Sequence, residues 1–187
     1  MSSGISTGSH GSIYITGTTN SEVLDGKSNN GGRDLFLSKF NSDGDKEWTE
    51  LLGSSEDDNN AGITTGKDGS VYITGSTYEL INGETNQNGF IRKYNSDGQE
   101  QWTELLGSQD SSFRSSGITI GTDDYLYLVG DANSNGKDYS SIIKYDEDGN
   151  EILSKLLIYP LGNEILTGSD GSIYTSGIRF RKKFSSS

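Results

Sequence analysis

Oxygen-bearing side chains recur at every second residue in two short segments of the sequence, a spacing that can suit calcium. The segments are Asn41-x-Asp43-x-Asp45-x-Glu47 and Asp146-x-Asp148-x-Asn150. Calcium takes about six to eight oxygen ligands, and calcium loops supply them alternately. The EF-hand loop, however, needs its glycine at the sixth position, whereas Gly44 and Gly149 stand fourth. Because Asp and Asn also hydrogen-bond to the backbone in turns, we interpret both segments as hairpin turns.

A second acidic cluster, Glu56-Asp57-Asp58-Asn59-Asn60, lies in a predicted long loop and offers the same kind of ligand. We interpret it in the same way, as a polar loop, and expect that the protein needs no cofactor. A calcium-stabilised structural repeat is the alternative. Its weak candidate ligands are Asp43, Asp45, Asp57, Asp58 and Asp148.

The residue types needed by the commonest catalytic centres are scarce. The chain has no cysteine and a single histidine, His10. This excludes thiolate sites, and it excludes a zinc site or a Ser–His dyad away from His10. His10 aligns with Asp68 and Asp170 at a predicted tight turn, where a side chain has neither an oriented partner nor a cleft. We therefore expect no enzymatic activity and assign no catalytic residue.

Carboxylates are plentiful, so a pair of catalytic acids is not excluded by number. Glu50 and Glu104 occupy equivalent positions, but Lys155 stands there in a third copy of the pattern. Such a reversal of charge is typical of an exposed position on an outer strand. A carbohydrate-active enzyme with a carboxylate-based site is therefore the alternative to a non-catalytic protein.

Two tryptophans, Trp48 and Trp102, are also equivalent, and Leu153 replaces them in the third copy. A platform for stacking sugars would need the aromatic ring. The replacement by leucine favours packing between neighbouring repeats instead.

The overall composition excludes some partners. The net charge is -12, which argues against nucleic acid because phosphate binding needs a basic face. No stretch approaches the length of about 20 apolar residues that a membrane span needs. The N-terminal residues show no signal peptide. Only 29% of residues are hydrophobic, but they alternate with polar residues in short runs, which indicates half-buried strands rather than disorder.

These runs repeat along the chain. Asp68-Gly69-Ser70-Val71-Tyr72-Ile73-Thr74-Gly75 has copies at 10–17 and 170–177 and a looser one at 123–130. A second motif, Phe36-Leu37-Ser38-Lys39-Phe40, recurs at 90–94 and, more loosely, at 142–145. Internal similarity at a fixed period is the signature of repeat architectures.

Each repeat is predicted to contain four short strands, A to D, that run up and down in chain order. Tight turns with Asp-Gly join A to B and C to D. Four strands in a period of roughly 40–60 residues are typical of β-propellers. We predict an all-β fold, a β-propeller or an open propeller arc of four-stranded antiparallel blades. The predicted blades are residues 3–58, 59–114, 115–160 and 161–187, the last one incomplete.

Both motifs, together with Leu52-Gly53-Ser54-Ser55-Glu56-Asp57-Asp58, resemble the SBBP ("seven-bladed β-propeller") repeat family. The resemblance covers nearly the whole chain. The family occurs in bacterial and archaeal secreted or cell-surface proteins, so the resemblance implies a propeller at such a location and implies no catalytic residue. We expect a non-catalytic scaffold or binding module, with a role in adhesion or surface-layer assembly.

The strand order also predicts where a partner binds. The A–B and C–D turns lie on one face, the tight-turn face, and the B–C and D–A connections lie on the other, the long-loop face. Binding residues concentrate on loops held by a rigid scaffold, so we expect a protein or carbohydrate partner on the long-loop face. The predicted long loops are 18–33, 53–61, 77–88 and 107–116.

The fourth repeat has a candidate C strand at 180–184 and no candidate D strand. Unpaired strand edges favour association. We therefore expect that the isolated chain does not close as a monomeric ring, and that it self-associates or is completed by further repeats.

Overall fold

The structure is a computed structural model that describes residues 2–81, 84–108, 111–134, 137–157, 164–176 and 182–184. The described part is built from β-strands, and the prediction of an all-β fold is confirmed. One short 3-10 turn occupies Ser9–Gly11. The strands are β1 (Ser2–Thr7), β2 (Ile13–Thr19), β3 (Val23–Leu24), β4 (Lys27–Ser28), β5 (Asp34–Phe40), β6 (Lys46–Leu52), β7 (Asn59–Thr65), β8 (Val71–Ile81), β9 (Glu84–Tyr94), β10 (Glu100–Ser108), β11 (Ser111–Ile120), β12 (Leu126–Ser134), β13 (Lys137–Tyr145), β14 (Glu151–Leu157), β15 (Glu164–Thr167), β16 (Ile173–Ser176) and β17 (Lys182–Phe184).

The strands follow one another in antiparallel order. β1, β2, β5 and β6 form a four-stranded sheet, and β15, β16 and β17 form a three-stranded one. β3 and β4 are a small hairpin within the connection from β2 to β5. Among the described residues, no sheet closes on itself.

The middle of the chain differs from the prediction of separate four-stranded blades. β7 to β14 form one eight-stranded sheet, because Gly107 pairs with Ser112 and Ser108 pairs with Ser111. These two pairs join β10 to β11, and the boundary predicted after residue 114 falls inside β11.

Two segments predicted as long loops are largely strand. The pairing of β8 with β9 continues from Thr77 opposite Asn88 to Ile81 opposite Glu84, and so takes up the predicted loop 77–88. Residues 111–116 of the predicted loop 107–116 belong to β11. Tyr78 and Ile81 are residue types that are enriched in strands, and no proline or glycine between them interrupts the ladder.

The predicted B strands are confirmed. Apart from the first residue of each, the segments 12–16, 70–74, 125–129 and 172–176 lie within β2, β8, β12 and β16, and the first three of these strands extend further. β2, β8 and β16 each stand second in chain order in their sheets, and β12 follows β11 within the eight-stranded sheet.

Alternate residues of the B strands belong to different hydrophobic clusters. Val71 and Ile73 pack with Tyr14, Leu35, Leu37 and Leu52 of the first sheet, whereas Tyr72 packs with β11 to β13. In β12, Leu126 and Leu128 face back toward β8 to β10, and Tyr127 and Val129 pack with Ile165 and Ile173. Period-two alternation with both faces buried means that consecutive repeats stack face to face.

The A strands lie side by side across the repeats. β1 packs beside β7, β7 beside β11, and β11 beside β15. A shallow groove of about 260 Å³ runs between them and is lined by Ile5, Ile63, Ile118, Ile165 and Leu166, among others.

Candidate functional site

The first hairpin candidate for calcium is organised as a backbone turn. The Oδ1 atom of Asn41 accepts hydrogen bonds from the backbone N–H groups of Asp43 and Asp45, at 3.0 and 2.9 Å. Gly44 closes the turn with a positive φ of 87°, a conformation that glycine adopts without strain. The side-chain oxygen of Asn41 therefore bonds to the turn itself, as in an Asx turn.

The third repeat uses the same geometry with an aspartate. Asp146 Oδ1 accepts from the N–H groups of Asp148 and Asn150, and the side chain of Asn150 donates to Asp146 Oδ2 at 2.9 Å. These hydrogen bonds, that of the Asn150 side chain first, lower the pKa of Asp146. Here too the calcium candidate, Asp148, contributes its backbone to a turn.

Asp57 and Asp58, the candidates in the connection from β6 to β7, have different surroundings. Asp57 is exposed, accepts from the N–H of Arg33 and pairs with its guanidinium at 3.3 Å. Asp58 is buried, and its Oδ2 accepts from the N–H and the hydroxyl of Ser54, at 2.7 and 3.0 Å. Among the residues described, no group of three or more His, Asp or Glu side chains could hold a metal ion.

Sequence reasoning missed Asp34, the first residue of β5. It is fully buried, at 0% exposure. Its pKa is raised, first by burial and further by the charge of Asp58, while a hydrogen bond from the Asn30 N–H opposes the rise. A polar residue directly before an apolar strand is typical of any strand end, so its own sequence neighbourhood gives no signal. Only a prediction that Asp58 lies next to it could have identified it.

The remaining sequence candidates occupy ordinary structural positions. His10 is exposed, with a positive φ of 60°, in the turn between β1 and β2. Glu50 on the edge strand β6 pairs with Lys27 at 2.7 Å, and Glu104 is exposed on β10.

Both tryptophans pack against the next repeat. The indole N–H of Trp48 donates to the carbonyl of Ser96, and its ring lies over Gly98. Trp102 likewise donates to Glu147 and lies over Gly149. Each of these glycines closes a C–D turn with a positive φ. Leu153, at the equivalent place on β14, is 58% exposed.

Two polar cavities lie on the long-loop face, on either side of Arg114. One, of about 330 Å³, is lined by Ser112, Phe113, Arg114, Asp131, Ala132, Asn133 and Asp138. The other, of about 280 Å³, is lined by Asn59, Asn60, Ala61, Ser76, Arg114 and Ser115. Arg114 lines both, so the cavities form one candidate site at the start of β7 and β11.

Strand register brings these residues together. Arg114 of β11 stands opposite Asp131 of β12, and Asn133 of β12 stands opposite Asp138 of β13. The side chain of Asn133 donates to Asp138 at 2.7 Å, and the hydroxyl of Ser140 donates to Asp131 at 3.0 Å. The strands thus fix a guanidinium, two carboxylates and an amide at one place.

This arrangement is equipped for recognition of a polar ligand. Carboxylate and amide oxygens accept hydrogen bonds from hydroxyl groups, and the guanidinium offers up to about five donors in a fixed plane. Binding pockets typically combine a few convergent polar groups of this kind, although those for drug-sized ligands are more apolar.

Within the described residues, no helix is long and apolar enough to cross a membrane. No protein-family model matches the chain. A comparison with curated proteins found the "Regulatory protein FlaEY" of Caulobacter vibrioides, 26% identical over 145 residues. The match covers 68% of this chain and 15% of that protein, so the chain spans a small part of its relative's length.

Among solved structures, a protein of unknown function from Dyadobacter fermentans superposes with a TM-score of 0.63 and 9% identity. The superposition covers 92% of this chain and 55% of that one. This likeness concerns the fold, and it extends over nearly all of the chain.

Proposed function

We propose that the chain is an arc of a β-propeller of the SBBP type that acts as a non-catalytic binding module at a cell surface. Three features support the propeller: the up-and-down strand order, the burial of both faces of the B strands, and the A strands side by side along one groove. An extracellular location, with a role in adhesion or surface-layer assembly, follows from the resemblance of the repeats to that family.

The observation that carries the binding function is the pair of cavities around Arg114. They lie on the face where the B–C and D–A connections meet, and Asp131, Asn133 and Asp138 line the larger one. The hydroxyl-rich surface of a carbohydrate matches this set of donors and acceptors. A carbohydrate is therefore the partner that we propose first.

The test is binding of a panel of soluble polysaccharides by calorimetry. The wild type is compared with Asp138→Ala in the larger cavity and with Asp43→Asn on the tight-turn face as the matched control. We expect Asp138→Ala to weaken binding roughly tenfold or more, because a hydrogen bond to a charged group contributes about 1.5–3 kcal/mol. Asp43→Asn should bind as the wild type does.

Two outcomes contradict the proposal. If Asp138→Ala binds as tightly as the wild type, the larger cavity is not part of the binding site. Release of reducing sugar from any polysaccharide, lost in Asp138→Ala or Asp131→Ala, supports the carbohydrate-active enzyme instead.

A further inference from the structure

A buried carboxylate oxygen in the first repeat has no hydrogen-bond partner within the described part of the chain. Asp34 is 0% exposed, and its Oδ2 accepts a hydrogen bond from the Asn30 N–H at 2.8 Å. Its Oδ1, also buried, has no hydrogen-bond partner among the residues that the structure describes. Burying a charge without a partner is expensive, and native proteins pair such groups or bind a cation with them.

A second buried carboxylate lies beside it. Asp58 is 1% exposed, and its N–H donates to the carbonyl of Arg33, the residue before Asp34. Asp58 uses Oδ2 for both of its hydrogen bonds with Ser54. In the described part of the chain, no ion pair joins either of the two carboxylates to a basic side chain.

The free oxygen of Asp34 points into the loop that holds Asp58. A Cβ atom built on Gly53 would collide with Asp34 Oδ1, so the carboxylate lies directly over Gly53. Gly53 precedes Ser54, and its carbonyl accepts a hydrogen bond from the Asn30 side chain at 3.3 Å. The Asp34 carboxylate therefore packs against the backbone of the loop that holds Asp58.

We propose that Asp34 and Asp58 bind a calcium ion between the loop that precedes β5 and the loop that joins β6 to β7. Asp34 Oδ1 and Asp58 Oδ1 are its side-chain ligands, with backbone carbonyls and water in the remaining positions. Calcium accepts such irregular shells of mixed oxygens, whereas magnesium demands a near-ideal octahedron and dehydrates reluctantly. A third carboxylate is not needed for such a shell.

The second repeat supplies an internal comparison. Phe36 and Phe90 pair with Gly17 and Gly75 in the same register, so Asn88 is the equivalent of Asp34. Asn60 and Ser115 are equivalent in the same way, which places Phe113 at the position of Asp58. The second repeat thus has a neutral amide and a phenyl ring where the first has two carboxylates, so the second repeat does not share the site.

The experiment measures thermal unfolding and calcium calorimetry on the whole chain after removal of bound metal. We expect one calcium per chain, and a rise in Tm of roughly 3–6 °C when free calcium is about tenfold above its Kd. Magnesium at the same concentration should raise Tm less. Asp34→Asn, which copies the residue of the second repeat, should abolish the calcium response.

Two further variants keep the test decisive. Asp58→Asn keeps an acceptor for Ser54 and should also lose calcium binding, so it replaces Asp34→Asn if that variant does not fold. Asp43→Asn, at the hairpin turn, should keep the full response. A wild type without a calcium-dependent change in Tm overturns the proposal, as does an Asp34→Asn variant that responds like the wild type.

Discussion

The connection between the first and second repeats and the connection between the second and third perform the same topological task in different ways. In the first, residues 53–58 form a loop held by polar contacts, with the buried Asp34 and Asp58 at its centre. In the second, β10 and β11 pair with each other, and Phe113 fills the position of Asp58.

The packing of Phe113 explains the difference. A Cβ atom on Gly89 or Gly130 would meet the Phe113 ring at 2.8 and 2.5 Å, so both glycines leave room for it. Its neighbours include Leu106 and other residues of the central hydrophobic cluster. In the first repeat, Leu35 stands where the second has Gly89, so the same space is not left by a glycine. The connection between two repeats can therefore be either a buried aromatic side chain on paired strands or a loop held by polar contacts.

The largest effect is expected from Phe113→Ala. Removing a buried phenyl ring should lower the free energy of unfolding by about 3–5 kcal/mol. Asp58→Ala, at the equivalent place, should cost less, about 1–3 kcal/mol, because it leaves the Ser54 donors unpaired but opens no large apolar cavity. Urea unfolding of both variants checks the order. A larger loss for Asp58→Ala would reverse our view of which connection depends on apolar packing.

The next effect concerns a contact that both connections share. Trp48→Leu and Trp102→Leu introduce the residue that the third repeat has at the equivalent position, Leu153. Each should lower the free energy of unfolding by about 1–3 kcal/mol, since each loses a ring contact and an indole hydrogen bond. We expect the two losses to agree within roughly 0.5 kcal/mol, because the two packing arrangements are alike. Unequal losses would mean that the difference between the connections extends to the outer strands.

A smaller effect is a dependence of stability on pH. The pKa of Asp34 is raised in the folded state, so between the unfolded and the folded pKa the folded protein holds a proton that the unfolded chain has lost. The stabilisation that comes with this proton is fully present below the unfolded pKa, and it is lost as pH rises through the folded pKa. In calcium-free buffer, Asp34→Asn should flatten the fall in Tm from mildly acidic to neutral pH. Melting curves across that range provide the measurement, with Asn88→Ala as a variant that should keep the slope.

The smallest effect is expected at the hairpin turn. Asp43→Asn keeps the backbone N–H that bonds to Asn41, so the free energy of unfolding should change by less than about 0.5 kcal/mol, with or without calcium. Asn41→Ala removes the acceptor of two N–H groups and should cost about 1 kcal/mol. A marked loss for Asp43→Asn only in the presence of calcium would show that the turn binds the ion.

The sequence contains enough local information to predict most of the strands. Alternation in segments such as Val71-Tyr72-Ile73 and Asp-Gly turns such as Asp97-Gly98 are properties of a few neighbouring residues, and they gave the B strands and the turns correctly. The joining of β10 to β11 was not predictable in this way. It depends on the ring of Phe113 finding space over glycines of two other strands, which is a property of tertiary packing.

For the candidate site, the sequence predicted only the face of the molecule on which it lies. The strand order assigns Arg114 and Asp131 to the same end of the sheets, but their pairing depends on the register of β11 against β12, which is shifted between Ser115 and Gly117. Asp34 was missed for the same reason. Its importance comes from a partner loop some twenty residues away, and nothing in its own neighbourhood marks it.

The tryptophan contacts can form only after the following repeat has been synthesised. Trp48 lies on a turn 48 residues further along the chain, and Trp102 on one 45 residues further. A ribosome adds about 5–20 residues per second, so the turn that each indole contacts is synthesised roughly 2–10 seconds after the tryptophan itself. The first and second repeats therefore leave the ribosome with their outer strands incompletely covered, and each is covered by the repeat that follows it.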